Sequence, residues 1–438
     1  EIHDAKIFEK DMLARSTVFL MQAVVLSLGV HLLGEGRRWL QGKTILVALP
    51  LLGLLALTAY LPDHFGAMQF FTAAAAVLFL LFAGFVGRYV SEDTVWLFNY
   101  QSAFAVVLGG IATLILCLGL CAILASIKYL FGVDISGKIY GDVWVIGGGL
   151  FFPVYVMASV PRDLNDQSPI CAMPVGISFI ANYLMVPMML AYTAILYAYG
   201  VKIIVEWALP KGNLAYMVTG YGSIGVVTHL CIYPIRETGT RLLRFFYRAF
   251  YVLLTGPLAL LAVGIWTRIT DYGLTEQRVA IVLCLVWLAV LSLWHIVKRA
   301  ETHIKHVPLV LMLMALVAAF SAEKLSVQSQ FARLQTVMQT AGVLTEDGRI
   351  VKAVKEVDFD LRKNISSIID YLRAREQLAL LQSWIEPLRG SEYLKDIDEE
   401  NFYGCKERLS SYCQHKAQTS DIMAAWGMDY VNRWETVD

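Results

Sequence analysis

The chain has 438 residues, 57% hydrophobic and 16% charged, with 36 Lys+Arg balanced by 36 Asp+Glu; its mean hydropathy is +0.58. Soluble domains are roughly 45–50% apolar and about 25% charged, so most of this chain does not read as an ordinary water-soluble protein. The balanced charge leaves no dense basic stripe, which sets nucleic acid aside as a partner.

The charge is uneven. Residues 1–322 hold 21 Lys+Arg and 17 Asp+Glu, whereas residues 323–438 hold 15 and 19. A hydrocarbon core about 30 Å thick needs roughly 20 apolar residues in a helix. About ten runs meet that criterion, near 16–34, 44–62, 69–88, 100–127, 143–160, 173–201, 213–233, 245–267, 277–297 and 306–322. Lipid offers backbone amides no partners, so the runs are helical. The expected fold is all-α: a polytopic transmembrane helix bundle over 1–322, followed by a mostly helical soluble domain over 323–438. The lipid bilayer is the first partner.

In chain order, "EIHDAKIFEKDMLARS" starts at Glu1 without a signal-peptide pattern and reads as an inter-helix loop, so the true N-terminus is expected upstream. The loops then alternate between two sets. One carries Lys6, Lys10, Arg15, Lys128, Lys138, Lys202, Lys211, Arg268 and Arg278. The other carries Arg37, Arg38, Lys43, Arg88, Arg162, Arg236, Arg241, Arg244, Arg248, Lys298, Arg299 and Lys305, including the clusters "GEGRRWLQGK", "RETGTRLLRFFYR" and "KRAETHIK". Basic loops stay in the cytoplasm, so both chain ends and residues 323–438 are expected outside it.

The fourth loop carries Lys128, Asp134, Lys138, Tyr140 and Asp142 before "WVIGGGLFFP". Three consecutive glycines weaken a helix and can mark an unwound or re-entrant segment. A lipid-modifying enzyme would gather Asp142, Asp163 and Asp166, but this topology puts Asp142 outside and the other two inside. No H-E-x-x-H, P-loop or G-x-S-x-G motif is present.

In the sixth run Tyr192, Tyr199 and Glu206 repeat every seven residues on one helix face, with Lys202 four before Glu206 and Pro187 upstream. An intramembrane ionisable group points to a pathway, so these four form a candidate polar pathway. The alternative is interfacial anchoring of Lys202, Glu206 and Trp207. In the seventh run, Gly220 to Gly225 fits G-x-G-x-x-G without the strand that a dinucleotide site needs. Thr219, Gly222, Ser223 and Gly225 read instead as a close helix-packing face. His229 and His295 lie near inner helix ends with no acid within one turn, and read as hydrogen-bonded or interfacial.

"TRITDYGLTEQR" (267–278) interrupts two apolar runs. It reads as an interfacial turn: Arg268 and Asp271 three apart, Gly273 ending one helix, Thr275 capping the next and Glu276 in its first turn.

Beyond 322 the last span continues as a helix over 323–341, with Ser321 as a possible cap and Gly342 as its stop. "LTEDGRIV" contains an Asp-Gly turn able to join two short strands. Leu361, Ile365, Ile368 and Leu372 mark an amphipathic helix able to run to Ile385, with further helices near 392–396, 399–415 and 420–430. Tyr393, Phe402, Tyr403, Trp426, Tyr430 and Trp434 supply a core or a docking face. Cys117, Cys121, Cys231 and Cys284 read as buried apolar groups, and Cys171 falls in an inward loop. Cys405 and Cys413, eight apart on one helix, would be about 12 Å apart, beyond the roughly 7 Å reach of a disulfide. With His415 they match no zinc spacing, so no metal and no cofactor is expected.

Three stretches, "LFGVDISGKIYGDVWVIGGGLFFPVYVMASVPRD" (130–163), "ANYLMVPMMLAYTAILYAYGVKIIVEWALPKG" (181–212) and "RITDYGLTEQR" (268–278), resemble a bacterial polytopic membrane family known as domain of unknown function 4153. The resemblance spans roughly 16–325 and implies a cytoplasmic (inner) membrane protein; it brings no activity. The expected function is a multi-pass membrane protein, either a transporter or permease-like protein of unknown substrate, or a non-catalytic scaffold or sensor. In the latter case the outward C-terminal domain binds an envelope partner.

Overall fold

The structure is a computed structural model; it describes residues 2–60, 66–86, 91–131, 135–159, 175–206, 214–298, 304–345, 347–351, 357–375, 377–385 and 419–432. Among these, nine helices are long and apolar enough to cross a membrane.

Helix α1 (Ile2–Gly36) packs against α2 (Gln41–Tyr60); because α1 begins at Ile2, the opening stretch expected as an inter-helix loop is helical. The deeply buried Arg15 donates to the Ala59 carbonyl at 3.2 Å. Helix α3 (Ala67–Leu80) packs along α1, and the Gln69 side chain reaches back to its start, where Gly66 N–H donates to Gln69 Oε1 at 2.8 Å. The run 69–88 is not one full span. α3 stops after 14 residues, about 21 Å against the roughly 30 Å required. A 3-10 turn at Ala83–Phe85 replaces its end, because the chain tucks under α1 there. A Cβ on Gly36 would lie 2.2 Å from the Gly84 carbonyl oxygen, so the two backbones touch.

Helix α4 (Glu92–Phe131) pairs with α5 (Gly137–Ile146) and α6 (Phe152–Ser159). The three glycines do not unwind the chain. A widened π turn at Gly147–Phe151 joins α5 to α6, and Gly147 lets α4 approach until Cys117 Sγ lies 2.2 Å from where a Cβ would be. The same device precedes Pro187: α7 (Val175–Ile180) passes through a π turn at Ala181–Met185 into α8 (Val186–Glu206). Pro187 has no N–H to return to the preceding turn, and the wider turn absorbs that loss.

Helices α9 (Leu214–Cys231), α10 (Arg241–Tyr272), α11 (Glu276–Lys298) and α12 (His306–Thr340) complete the bundle. α8, α9 and α11 pack on α10, α11 on α12, and α12 along α3. Their shared interior is rich in aromatic residues, with Tyr221, Phe246, Phe250, Tyr251 and Trp287 all buried. Loops of the more basic set meet at one end: Trp96 donates to the Leu230 carbonyl at 2.7 Å, Ile304 N–H to Glu92 at 2.7 Å, and Thr240 N–H to Asn182 at 2.9 Å.

α12 runs unbroken through residue 322 and stops before Gly342, whose φ of +70° suits glycine. Ser321 bonds the Val317 carbonyl within that helix and starts none. Gly348 (φ +76°) makes the expected turn, but Leu344 and Ile350 form only an isolated bridge; no strand occurs among the described residues. Helix α13 (Phe359–Ala374), capped by Asp358, ends well before Ile385. Gln377 N–H turns back to the Leu372 carbonyl at 3.0 Å. The turn brings Leu378, Leu381 and Trp384 onto the core through a 3-10 turn at Leu378–Leu381 and α14 (Gln382–Ile385). Helix α15 (Thr419–Ala425) is shorter than expected, stopped by Gly427 at φ +81°. Trp426, fully buried, belongs to the same second core as Ile365, Ile369 and Leu334, with the Trp384 ring centroid 6.4 Å away. The helices expected at 392–396 and 399–415, and Tyr393, Phe402, Tyr403, Cys405, Cys413, His415 and Trp434, lie outside the described residues, as do Arg162, Asp163, Asp166, Cys171 and Trp207.

Candidate functional site

The turn between α10 and α11 is where the bundle meets the C-terminal residues. Gly273 has φ 69° and ψ 177°, a region essentially open only to glycine. This conformation directs two carbonyls at α12, where Gln330 Nε2 donates to Tyr272 O at 3.0 Å and Leu274 O at 2.9 Å. Leu274 N–H donates to Ser329 Oγ at 2.8 Å. Arg333 reaches Tyr272 O at 3.1 Å and Asn364 on α13 at 3.2 Å. Arg278 donates to Tyr272 O at 2.9 Å and to Gly273 O. Both guanidinium groups also lie over the Tyr272 ring, at 5.7 and 5.5 Å.

Glu276, the first residue of α11, supplies the strongest link. Arg375 donates to it through Nε at 2.6 Å and Nη2 at 2.9 Å, and Tyr371 OH donates at 2.9 Å. The Arg375 guanidinium stacks 3.6 Å from the Tyr371 ring centroid. Burial is the main force pushing the Tyr371 phenol well above its usual range, which keeps it a donor. Forked, charge-assisted pairs of this kind are the stronger class of hydrogen bond. With side chains only 15% and 25% exposed, water screens this pair less than it screens a surface pair. A cavity of about 480 Å³ opens beside the pair, between Phe70, Phe71, Ala280, Glu276, Glu323 and Arg375. Of the other turn residues, Thr275 accepts Val279 N–H through its carbonyl at 2.9 Å; Arg268 is half-buried and Asp271 exposed.

The four residues of the expected pathway divide. Tyr192 stacks on Tyr221 with ring centroids 5.7 Å apart, and Tyr221 OH shares a 2.6 Å hydrogen bond with Thr193. Tyr199 packs against the same core. Lys202 and Glu206 pair with each other at 3.8 Å with side chains 61% and 56% exposed, on a part of α8 that the core does not cover.

On α9, Gly222 sits against Leu288 of α11 and Gly225 against Phe250 of α10, each with a neighbouring carbon within 2.3 Å of where a Cβ would be. Ser223 Oγ lies 3.7 Å from Cys284 Sγ. Thr219 bonds back to its own helix at Ala215 O, 2.7 Å away. One heptad beyond Gly222 and Leu288, the same contact places His229 beside His295, with ring centroids 5.7 Å apart. Both are buried; the hydrogen-bond partner of His229 is the Tyr247 carbonyl at 3.1 Å, and Tyr251 packs on both rings. The hydrogen-bonded reading of His229 therefore rests on a neighbouring helix, which local spacing does not reveal. Among the described residues no group of three or more His, Cys, Asp or Glu is placed to hold a metal ion.

Residues 7–347 match the family described as Domain of unknown function (DUF4153). Over 282 residues the chain is 30% identical to the "Uncharacterized protein PM1469" of Pasteurella multocida (strain Pm70). The aligned part is 63% of this chain and 47% of that protein, so the chain spans about half the length of this relative. No solved structure matches the chain.

Proposed function

From the premise that this multi-pass helical membrane chain belongs to the DUF4153 family, we propose that it is a non-catalytic membrane scaffold or sensor. In this reading the bundle lies in the bacterial cytoplasmic membrane, and residues 323–438 form an extracytoplasmic domain that meets an envelope partner. The observation that carries it is the junction at 272–278. Glu276 binds Arg375 and Tyr371, and Gln330 and Arg333 bind the Tyr272 carbonyl, so the C-terminal core is held in fixed register with the bundle. The buried aromatic cluster between α8 and α11 agrees with a supporting role. The concentration of basic loops at the end opposite the junction supports the orientation.

A permease is the second reading, favoured by the π turns at Gly147–Phe151 and Ala181–Met185. Such turns are frequent at functional sites, and Tyr192, Tyr199, Lys202 and Glu206 would then line the route.

A photo-crosslinking residue placed at Ser367 or Leu380 in living cells tests the choice. The scaffold reading expects one adduct of fixed size, lost when Glu276→Gln and Arg375→Gln are combined. No adduct at either position, together with solute flux into proteoliposomes that Tyr192→Phe or Glu206→Gln abolishes, overturns it in favour of the permease.

A further inference from the structure

We propose that the amino-terminal end of α10 binds the phosphate headgroup of an anionic phospholipid through Arg241, Arg244 and Arg248. At 100° per residue, positions three and seven beyond Arg241 fall within about 60° of one another on the helix surface, and the three span about 10 Å of axis. All three side chains are exposed. Together with Phe245 and Ala249 they form one open patch on the surface of α10.

Retention of basic loops in the cytoplasm accounts for arginines near this helix start, but not for three of them on one exposed face. A helix start is the positive end of the helix dipole and favours anions, not cations. The first turn of α10 carries no acidic residue. Arg244 and Arg248 are four apart, where like charges repel. Among the described residues no carboxylate pairs with any of the three. Nor can they turn inward, because the opposite face (Leu243, Phe246, Phe250) is fixed in the core. Among the described residues nothing neutralises these three guanidinium groups, and an anion from outside the chain would.

Position decides which anion. α10 has 32 residues, about 48 Å, against a hydrocarbon core of about 30 Å, so its first turns reach the headgroup layer. Leu242 and Phe245, 43% and 54% exposed, stand beside the arginines and offer apolar surface to acyl chains. A guanidinium fork matches two phosphate oxygens at once, which a lysine cannot do. Free phosphate satisfies the arginines but leaves the apolar flank bare; a phospholipid satisfies both.

Native mass spectrometry of the full-length protein in mild detergent tests this. Matched samples receive phosphatidylglycerol, phosphatidylcholine, or phosphatidylglycerol with inorganic phosphate. The expected result is preferential retention of phosphatidylglycerol, unmoved by inorganic phosphate. It should fall at least about tenfold in the triple variant R241Q/R244Q/R248Q, given the charge each arginine contributes near an anionic surface. The triple Arg→Lys variant keeps an intermediate share, and Arg268→Gln at the other end of α10 changes nothing. If the triple Gln variant does not fold, Arg244→Gln alone gives a partial loss. Equal retention of the two lipids, or retention untouched by Arg244→Gln and the triple variant, overturns the proposal. Displacement of the lipid by inorganic phosphate overturns it too, and would assign the arginines to a soluble phosphate.

Discussion

The two ends of α10 treat polar groups in opposite ways. At its carboxyl end, the carbonyls of Tyr272 and Gly273 and the guanidinium groups of Arg278 and Arg333 meet partners within the chain. At its amino end three arginines face outward beside exposed Phe245, with no carboxylate paired to them among the described residues. The contrast separates two uses of charge at a membrane surface. Charge met from within fixes one part of the fold to another. Charge with no carboxylate beside it among the described residues is where the proposed lipid headgroup would bind.

Four substitutions break or sharpen that contrast. Gly273→Val should do the most damage. It forces a branched side chain into a φ, ψ region that costs roughly 3 kcal/mol for a single strained residue, and its Cβ would lie 2.8 Å from Gln330 Nε2, the donor that holds the turn. Thermal melting in detergent followed by circular dichroism should show a lower midpoint, and normal melting would refute the importance of the turn. Arg375→Ala comes next, leaving the Glu276 carboxylate largely enclosed without its fork, at a cost of about 2–3 kcal/mol. Hydrogen exchange should rise together in 272–278 and 359–375; a rise in only one would mean the two are not coupled. At the amino end, Thr240→Ala removes the hydroxyl that accepts Leu243 N–H at 3.3 Å. Losing such a cap costs about 1 kcal/mol, and the melting midpoint should shift accordingly while exchange at 272–278 stays unchanged. Glu206→Gln should be nearly silent in stability, at most about 0.5 kcal/mol, because its pair with Lys202 is exposed and screened. A larger loss on melting would mean that α8 is covered there by something else.

The transmembrane organisation is legible in the sequence because lipid allows one solution to a long apolar run. Local backbone signals are legible for the same reason of restricted choice: Gly273 and Gly342 both end helices at positive φ. Hydropathy misleads at 69–88, where apolar content continues past the end of α3 because the following 3-10 turn is buried against α1 and α4 (Phe85 on Phe98, 5.4 Å) rather than spanning lipid. Amphipathic spacing misleads near Ile385 for a related reason: Leu378 and Leu381 belong to the core but reach it after a turn. What no local pattern holds is the pairing of Glu276 with Arg375, 99 residues away. The sequence displays Glu276 as a favourable first-turn acid, which it is, and that duty hides the second. His229 is similar, since its partner is a main-chain carbonyl of another helix.

The unbroken course of α12 has a structural consequence. Its 35 residues make a rod about 52 Å long, flanked by α3 for part of its length and by α13 beyond. No break interrupts it between His306 and Thr340. One continuous helix therefore carries both the packing against α3 and, through Arg333, the contact with Asn364 of α13.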